Sequence, residues 1–378
     1  LALVFGLSAV GAFGLLYNLV AAYWKSSADR EAEASTPSLL SLTALLGPLF
    51  LLIVSNVEGF LEFLHNRGVG WSGQPGQVNF WTTLGRLARP NLEAYNFWTW
   101  LDIKDLREIP NLGAEPRFWF WWRASRVVHD YDLMGSFVEV IDEFPFFSYL
   151  LGDLHPHVLA MPFGLLAAGL ALNLFLGGWD GEYDLKWFKL PVRAEGFALL
   201  AVTLGGLAFL NTWDFPVYLA VAAGALMLKL VQERGWGWEL LEDVLKFSIP
   251  LALVSVALYL PFYVTFASQA GGIVPNVVFP TRGAHLWVMF GTLFVPLFLF
   301  LLHTAAQREA DWKLRLLLAF GFTAFLALFS LVITIFAAQT ELGQSLINSQ
   351  GVGSLGGVLK EAWVRRLSFG GGLLTLLA

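Results

Sequence analysis

The sequence predicts an all-α, polytopic integral membrane protein of eight or nine transmembrane helices, with a Trp-rich insert outside the membrane. Three observations predict it. Hydrophobic residues make up 57% of the chain and charged residues only 14%, against about 25% charged in soluble domains. Several apolar runs approach the roughly 20 residues that a helix needs to cross a bilayer. Between the second and third runs stands a polar stretch that holds seven of the 16 Trp.

The apolar runs fall near 1–24, 38–64, 156–177, 195–213, 214–231, 245–267, 285–305 and 314–338, with a ninth beginning near 367. The second has an amphipathic end, where Glu58, Glu62 and His65 enter. Three regions follow: 1–65 with the first two spans, 66–144 as the insert, and 145–378 with the third to ninth. The chain opens at Leu1 and stops at Ala378 inside apolar runs, without a charged leader, and so reads as an internal piece of a longer protein. The net charge of -6 is spread along the chain, and no basic tract suggests nucleic acid. The absence of Cys excludes disulfides and thiolate chemistry.

The insert opens with Gly68, Gly70, Gly73, Pro75 and Gly76, which read as loop. Stretches 78–88 and 115–128 then read as short helices with aromatic faces. Trp and Tyr concentrate where one side is apolar and the other wet, which places the insert against the membrane surface. Orientation follows from the short loops. Those after spans one, three, five and seven hold eleven Lys and Arg, from Lys25 to Arg315, whereas those after spans four and six hold only Arg282. The basic side is cytoplasmic by the positive-inside rule. The insert, Asp153, Asn211 to Phe215, and Arg282 are then extracytoplasmic.

One stretch carries the densest chemistry: Glu143-Phe-Pro-Phe-Phe-Ser-Tyr-Leu-Leu-Gly-Asp153-Leu-His155-Pro-His157. Ionisable groups at the mouth of a membrane span are costly to desolvate and so point to function. Carboxylate with imidazole suits a divalent cation: Mg or Mn through oxygen, Zn or Mn through nitrogen. Asp153, His155 and His157 are the candidate ligands, and Glu143 and Asp153 the candidate catalytic carboxylates. On a helix, positions two apart point in opposing directions. In an extended segment before Pro156 they can converge, and Gly152 permits the turn. Such a carboxylate equally suits a general base towards a hydroxyl.

Asn211-Thr-Trp-Asp214-Phe-Pro216 joins spans four and five on the same face. Asp214 reads either as a helix cap or, with Asn211, as part of the external site. Trp122-Arg123-Ala-Ser-Arg126 combines planar guanidinium groups with an aromatic, which suits phosphate or sugar contact or, equally, phospholipid headgroups. Asn56 and Glu58 form an intramembrane polar pair suited to helix packing or to substrate contact.

Trp122-Arg-Ala-Ser-Arg-Val, the Glu143–His157 stretch and Asn211-Thr-Trp-Asp-Phe-Pro together resemble the YYY integral membrane protein family of bacteria and archaea. Its tyrosine-rich motif is absent from this stretch. The family is similar in layout to multi-spanning GT-C glycosyltransferases, and Asp153-x-His155 looks like their second metal motif. The resemblance implies sugar transfer from a polyprenyl-phosphate donor outside the membrane. Arg123 or Arg126 would hold the phosphate, and Asp153, His155 and Glu143 would position a cation or the acceptor hydroxyl. The alternative is a non-catalytic accessory subunit of a larger membrane assembly.

Overall fold

A computed structural model describes residues 1–26, 37–69, 97–108, 120–184, 186, 189–266, 276–279, 281–307 and 312–369. Helices dominate, and among the described residues five are long and apolar enough to cross a membrane: Ala2–Lys25, Pro156–Phe175, Asp214–Arg234, Gly283–Ala306 and Trp312–Ala337. A sixth is counted if Pro37–Ile53 and Glu58–His65 are taken as one interrupted span. The expected fourth span is a helix of only 17 residues, Ala194–Leu210. The expected sixth is a helix, Trp238–Leu258, whose first half carries Glu239, Glu242, Asp243 and Lys246. The ninth run begins at the end of a helix, Leu355–Phe369, that contains Lys360, Glu361 and Arg365.

The chain forms two compact units. The first comprises Leu1–Val54 and Ser148–Ala270; the second comprises Ser55–Phe147 and Gly271–Ala378.

In the first unit, helix Pro156–Phe175 packs against helices Ala2–Ser26, Ala194–Leu210 and Asp214–Arg234, and Ala194–Leu210 packs in turn against Trp238–Leu258. Their shared core holds Leu174, Leu200, Leu204, Leu226, Phe247 and Leu251. Small residues let these helices approach. A Cβ at Gly164 would strike the Tyr218 ring, and one at Gly205 would strike the Ser255 carbonyl. Pro156 sits at the first turn of its helix, where its missing N–H costs nothing.

In the second unit, Leu61, Trp98, Leu101, Ile103, Leu106, Val127 and Val288 form a buried cluster. The irregular backbone ahead of helix Glu58–His65 finds its partners on helix Gly283–Gln307. Val57 donates to the Val288 carbonyl at 2.8 Å, and Thr292 Oγ1 donates to the Ser55 carbonyl at 3.3 Å. Non-helical backbone survives in apolar surroundings only when it is satisfied in this way.

Of the expected insert helices, 78–88 lies outside the described residues, as does the Gly/Pro-rich run beyond Val69. Within 115–128 the described helix is Phe120–Ala124, and an antiparallel pair of strands follows, His129–Tyr131 with Phe137–Glu139. Asp132 makes that turn: its Oδ1 accepts from Met134 N at 2.9 Å and Ser136 N at 2.7 Å. Gly135 there takes φ +88, the left-handed region that favours glycine.

Candidate functional site

The Asp153 motif is built by a helix stop and a helix start. Helix Pro145–Leu151 ends at Gly152, whose φ of +78 is left-handed. Gly152 N and Asp153 N then donate back to the carbonyls of Tyr149 and Ser148, both at 3.2 Å. His155 is extended (φ -60, ψ 155) because Pro156 follows it. Residues two apart in extended chain share a side, and Asp153 Oδ2 lies 2.7 Å from His155 Nδ1. Their side chains are 44% and 41% exposed, so the pair is open. The His157 ring lies 5.6 Å from that of His155, and its Nε2 lies 3.4 Å from Ser148 Oγ.

The turn between helices Ala194–Leu210 and Asp214–Arg234 joins the same constellation. Asp214 is the first residue of its helix; Trp213 holds the capping position and makes no side-chain cap. The cap expected of Asp214 is therefore not what its side chain forms. It hydrogen-bonds the Asn211 side chain instead and interacts electrostatically with His157. Ser148, Asp153, His155, His157, Asn211 and Asp214 thus belong to one polar group in the first unit. Glu143 stands in the second unit.

Charge pairing in the second unit decides where its arginines point. Arg123 lies 3.3 Å from Glu62 Oε1 and 3.3 Å from Asp105 Oδ2, with only 13% of its side chain exposed. Arg126 stacks over the Trp122 ring at 4.3 Å, donates to the Ser125 carbonyl at 3.0 Å and pairs with Glu139 at 3.5 Å. These guanidinium groups already have anionic partners within the protein. Asn56 Nδ2 donates to the Ala124 carbonyl at 2.6 Å, which is a packing role.

A second ionic cluster was not legible in the sequence. Arg282 bridges Asp102 and Asp130, Arg107 pairs with Asp102, and Arg365 lies 3.7 Å from Asp130 and donates to the Tyr131 carbonyl. His129 stands 3.7 Å from Asp102, and its ring lies 5.0 Å from that of His285. Burial, reinforced by the Arg282 and Arg107 charges, holds the His129 imidazole below its ordinary range. Burial likewise pushes the Asp142 carboxyl up to about 6, against the opposing Val128 N–H at 2.6 Å. The one sequence signal for this cluster was Arg282 at the foot of an apolar span.

The expected ligand set of Asp153, His155 and His157 is not assembled around one point. Asp153 engages the near nitrogen of His155, and His157 turns to Ser148. Among the described residues, no group of three or more His, Asp or Glu side chains is arranged to hold a metal ion. The pair suits proton transfer better: a carboxylate that accepts from Nδ1–H fixes the tautomer and orientation of the imidazole.

Comparison with known proteins identifies one family. The model described as "Uncharacterized membrane protein (DUF2298)" matches residues 1–374. No curated protein and no solved structure matches the chain.

Proposed function

The chain belongs to the DUF2298 family of membrane proteins, and we propose that it is a multi-pass transferase whose open Asp153–His155 pair activates a hydroxyl acceptor. The donor in this reading is a polyprenyl-phosphate sugar. The reading keeps the resemblance of the motif to the YYY family and to GT-C glycosyltransferases, with eight or nine spans and the pair on the extracytoplasmic side. The observation that carries it is the 2.7 Å contact between Asp153 Oδ2 and His155 Nδ1 at the foot of an apolar helix. Leu151, Leu154, Phe163 and Leu166 are exposed on the same segment, an apolar surface suited to a lipid chain.

The chemistry balances as a displacement. His155 Nε2 takes the proton of the acceptor hydroxyl while its oxygen bonds to the anomeric carbon. The bond from that carbon to the phosphate oxygen breaks, and its electron pair leaves with the polyprenyl phosphate. Asp153 holds the imidazole in the required tautomer and stabilises the imidazolium. His157, Asn211 and Asp214 supply polar contacts to the sugar or the acceptor. Arg123 and Arg126, already matched by carboxylates, take no step, and none is routed through a divalent cation.

The test is sugar transfer from labelled polyprenyl-phosphate donors in membranes carrying the protein. No turnover with any lipid-linked sugar, together with fixed-ratio co-purification of other membrane subunits, would favour the accessory-subunit reading. That reading draws on the internal pairing of Arg123, Arg126 and Arg282.

A further inference from the structure

Glu58 is fully buried, and neither of its carboxylate oxygens has a hydrogen-bond partner among the described residues. Its own backbone N–H donates to Asn56 Oδ1 at 3.2 Å, so the helix start is satisfied while the side chain is not. One turn on, Glu62 is 3% exposed and lies 3.3 Å from Arg123, which also lies 3.3 Å from Asp105. Glu58 interacts electrostatically with Glu62, Arg123 and Asp105. Three carboxylates thus face one guanidinium. Arg123 neutralises about one of them, and Asp105, with 40% of its side chain exposed, is eased by water. Glu58 has neither remedy.

Among the described residues, the other ionisable groups nearby are committed elsewhere. On the same helix, His65 Nε2 contacts the Glu108 carbonyl at 2.8 Å. Helix Gly283–Gln307 brings apolar Val288 and Met289 to this region, and its His285 Nε2 contacts the Leu101 carbonyl at 3.0 Å. An ionised carboxylate buried without partner or water is untenable; such a group recruits a cation or keeps its proton.

We propose that Glu58 is a proton-binding site, a buried carboxylic acid beside the Glu62–Arg123–Asp105 cluster at the helix start that follows the irregular break in an apolar run. Full burial of the side chain suits a proton. The site is independent of the transfer chemistry assigned to Asp153 and His155.

The test treats the whole protein in membranes with dicyclohexylcarbodiimide and maps the modified residues by mass spectrometry. The reagent adds a protonated carboxyl across its carbodiimide bond: oxygen bonds to the central carbon, and the proton moves to nitrogen. Glu58 should be labelled at neutral pH, with loss of label at alkaline pH and in Glu58→Gln. Sodium ions that protect Glu58 at constant pH would overturn the proposal in favour of a metal cation. Where the reagent does not reach Glu58, infrared difference spectra of wild type against Glu58→Gln decide. A protonated-acid carbonyl band missing from the variant supports the site; a missing ionised-carboxylate band overturns it.

Discussion

Asp153 and His155 meet across a single intervening residue, Oδ2 to Nδ1 at 2.7 Å, because the chain between Gly152 and Pro156 is not helical and His155 is extended. Under the proposed reaction, Asp153→Asn keeps the shape but removes the charge that orients the imidazole. Turnover of a polyprenyl-phosphate sugar should fall about 10²–10³-fold, the usual loss for one preorganised electrostatic contact. His155→Gln should fall at least as far, and Asp214→Asn much less. Wild-type turnover in Asp153→Asn would remove the pair from the chemistry.

Arg282 and Lys104 test what burial does to an ion pair. Arg282, with 11% of its side chain exposed, bridges Asp102 and Asp130. Arg282→Met leaves both carboxylates short of charge, and losing one partner of a buried pair costs about 3–5 kcal/mol. Lys104 pairs with Glu139 at 2.7 Å but is 53% exposed; Lys104→Ala should cost about 1 kcal/mol or less. Melting in detergent measures both. Hydrogen exchange should show the Arg282 loss at Leu101 and in the Tyr131 strand, with helix Pro156–Phe175 unchanged.

His129 and Asp142 make the pH dependence two-sided. Burial lowers the folded-state pKa of His129, so the folded protein is undisturbed above about 6.5 and loses stability as pH falls below that, where the unfolded chain takes up the proton first. Burial raises Asp142 to about 6, so its penalty is absent below its ordinary value and grows as pH rises to about 6. Melting temperature measured across this range should show a flatter acid limb in His129→Gln. Asp142→Asn should remove the opposing slope, worth at most about 1 kcal/mol once solvent screening is allowed for. Unaltered profiles in both variants would refute the assignment.

Topology can be read with thiols, since the chain has no Cys. Ser136 is exposed in the turn between strands His129–Tyr131 and Phe137–Glu139, and Glu182 is exposed in the basic loop after helix Pro156–Phe175. Ser136→Cys should react with an impermeant maleimide added outside intact cells, and Glu182→Cys only after permeabilisation. The reverse pattern would invert the proposed orientation.

The apolar runs alone determined that this is a membrane protein, because a helix that crosses a bilayer writes its length into consecutive residues. Gly152 and Pro156 likewise determined the extended turn that joins Asp153 to His155, since both act through local backbone preference. The strands at His129 and Phe137 had a local signal too, in Asp132 and Gly135, but they lie just beyond 115–128, the stretch whose aromatics suggested helix. Span boundaries were less legible: Ala194–Leu210 is a short helix, and the charged start of Trp238–Leu258 lies in a helix that its apolar half suggested only in part.

Only the tertiary structure decided which charges are spent within the protein. Arg123 read as a phosphate ligand, yet Glu62 stands 61 positions earlier and Asp105 in another segment. Arg282 and Asp102 are 180 residues apart. Asp214 read either as a cap or, with Asn211, as part of the external site, and folding turned its side chain to Asn211 and His157. Pairings of this kind depend on which helices pack together, and their free energy depends on burial, which no single stretch of sequence encodes.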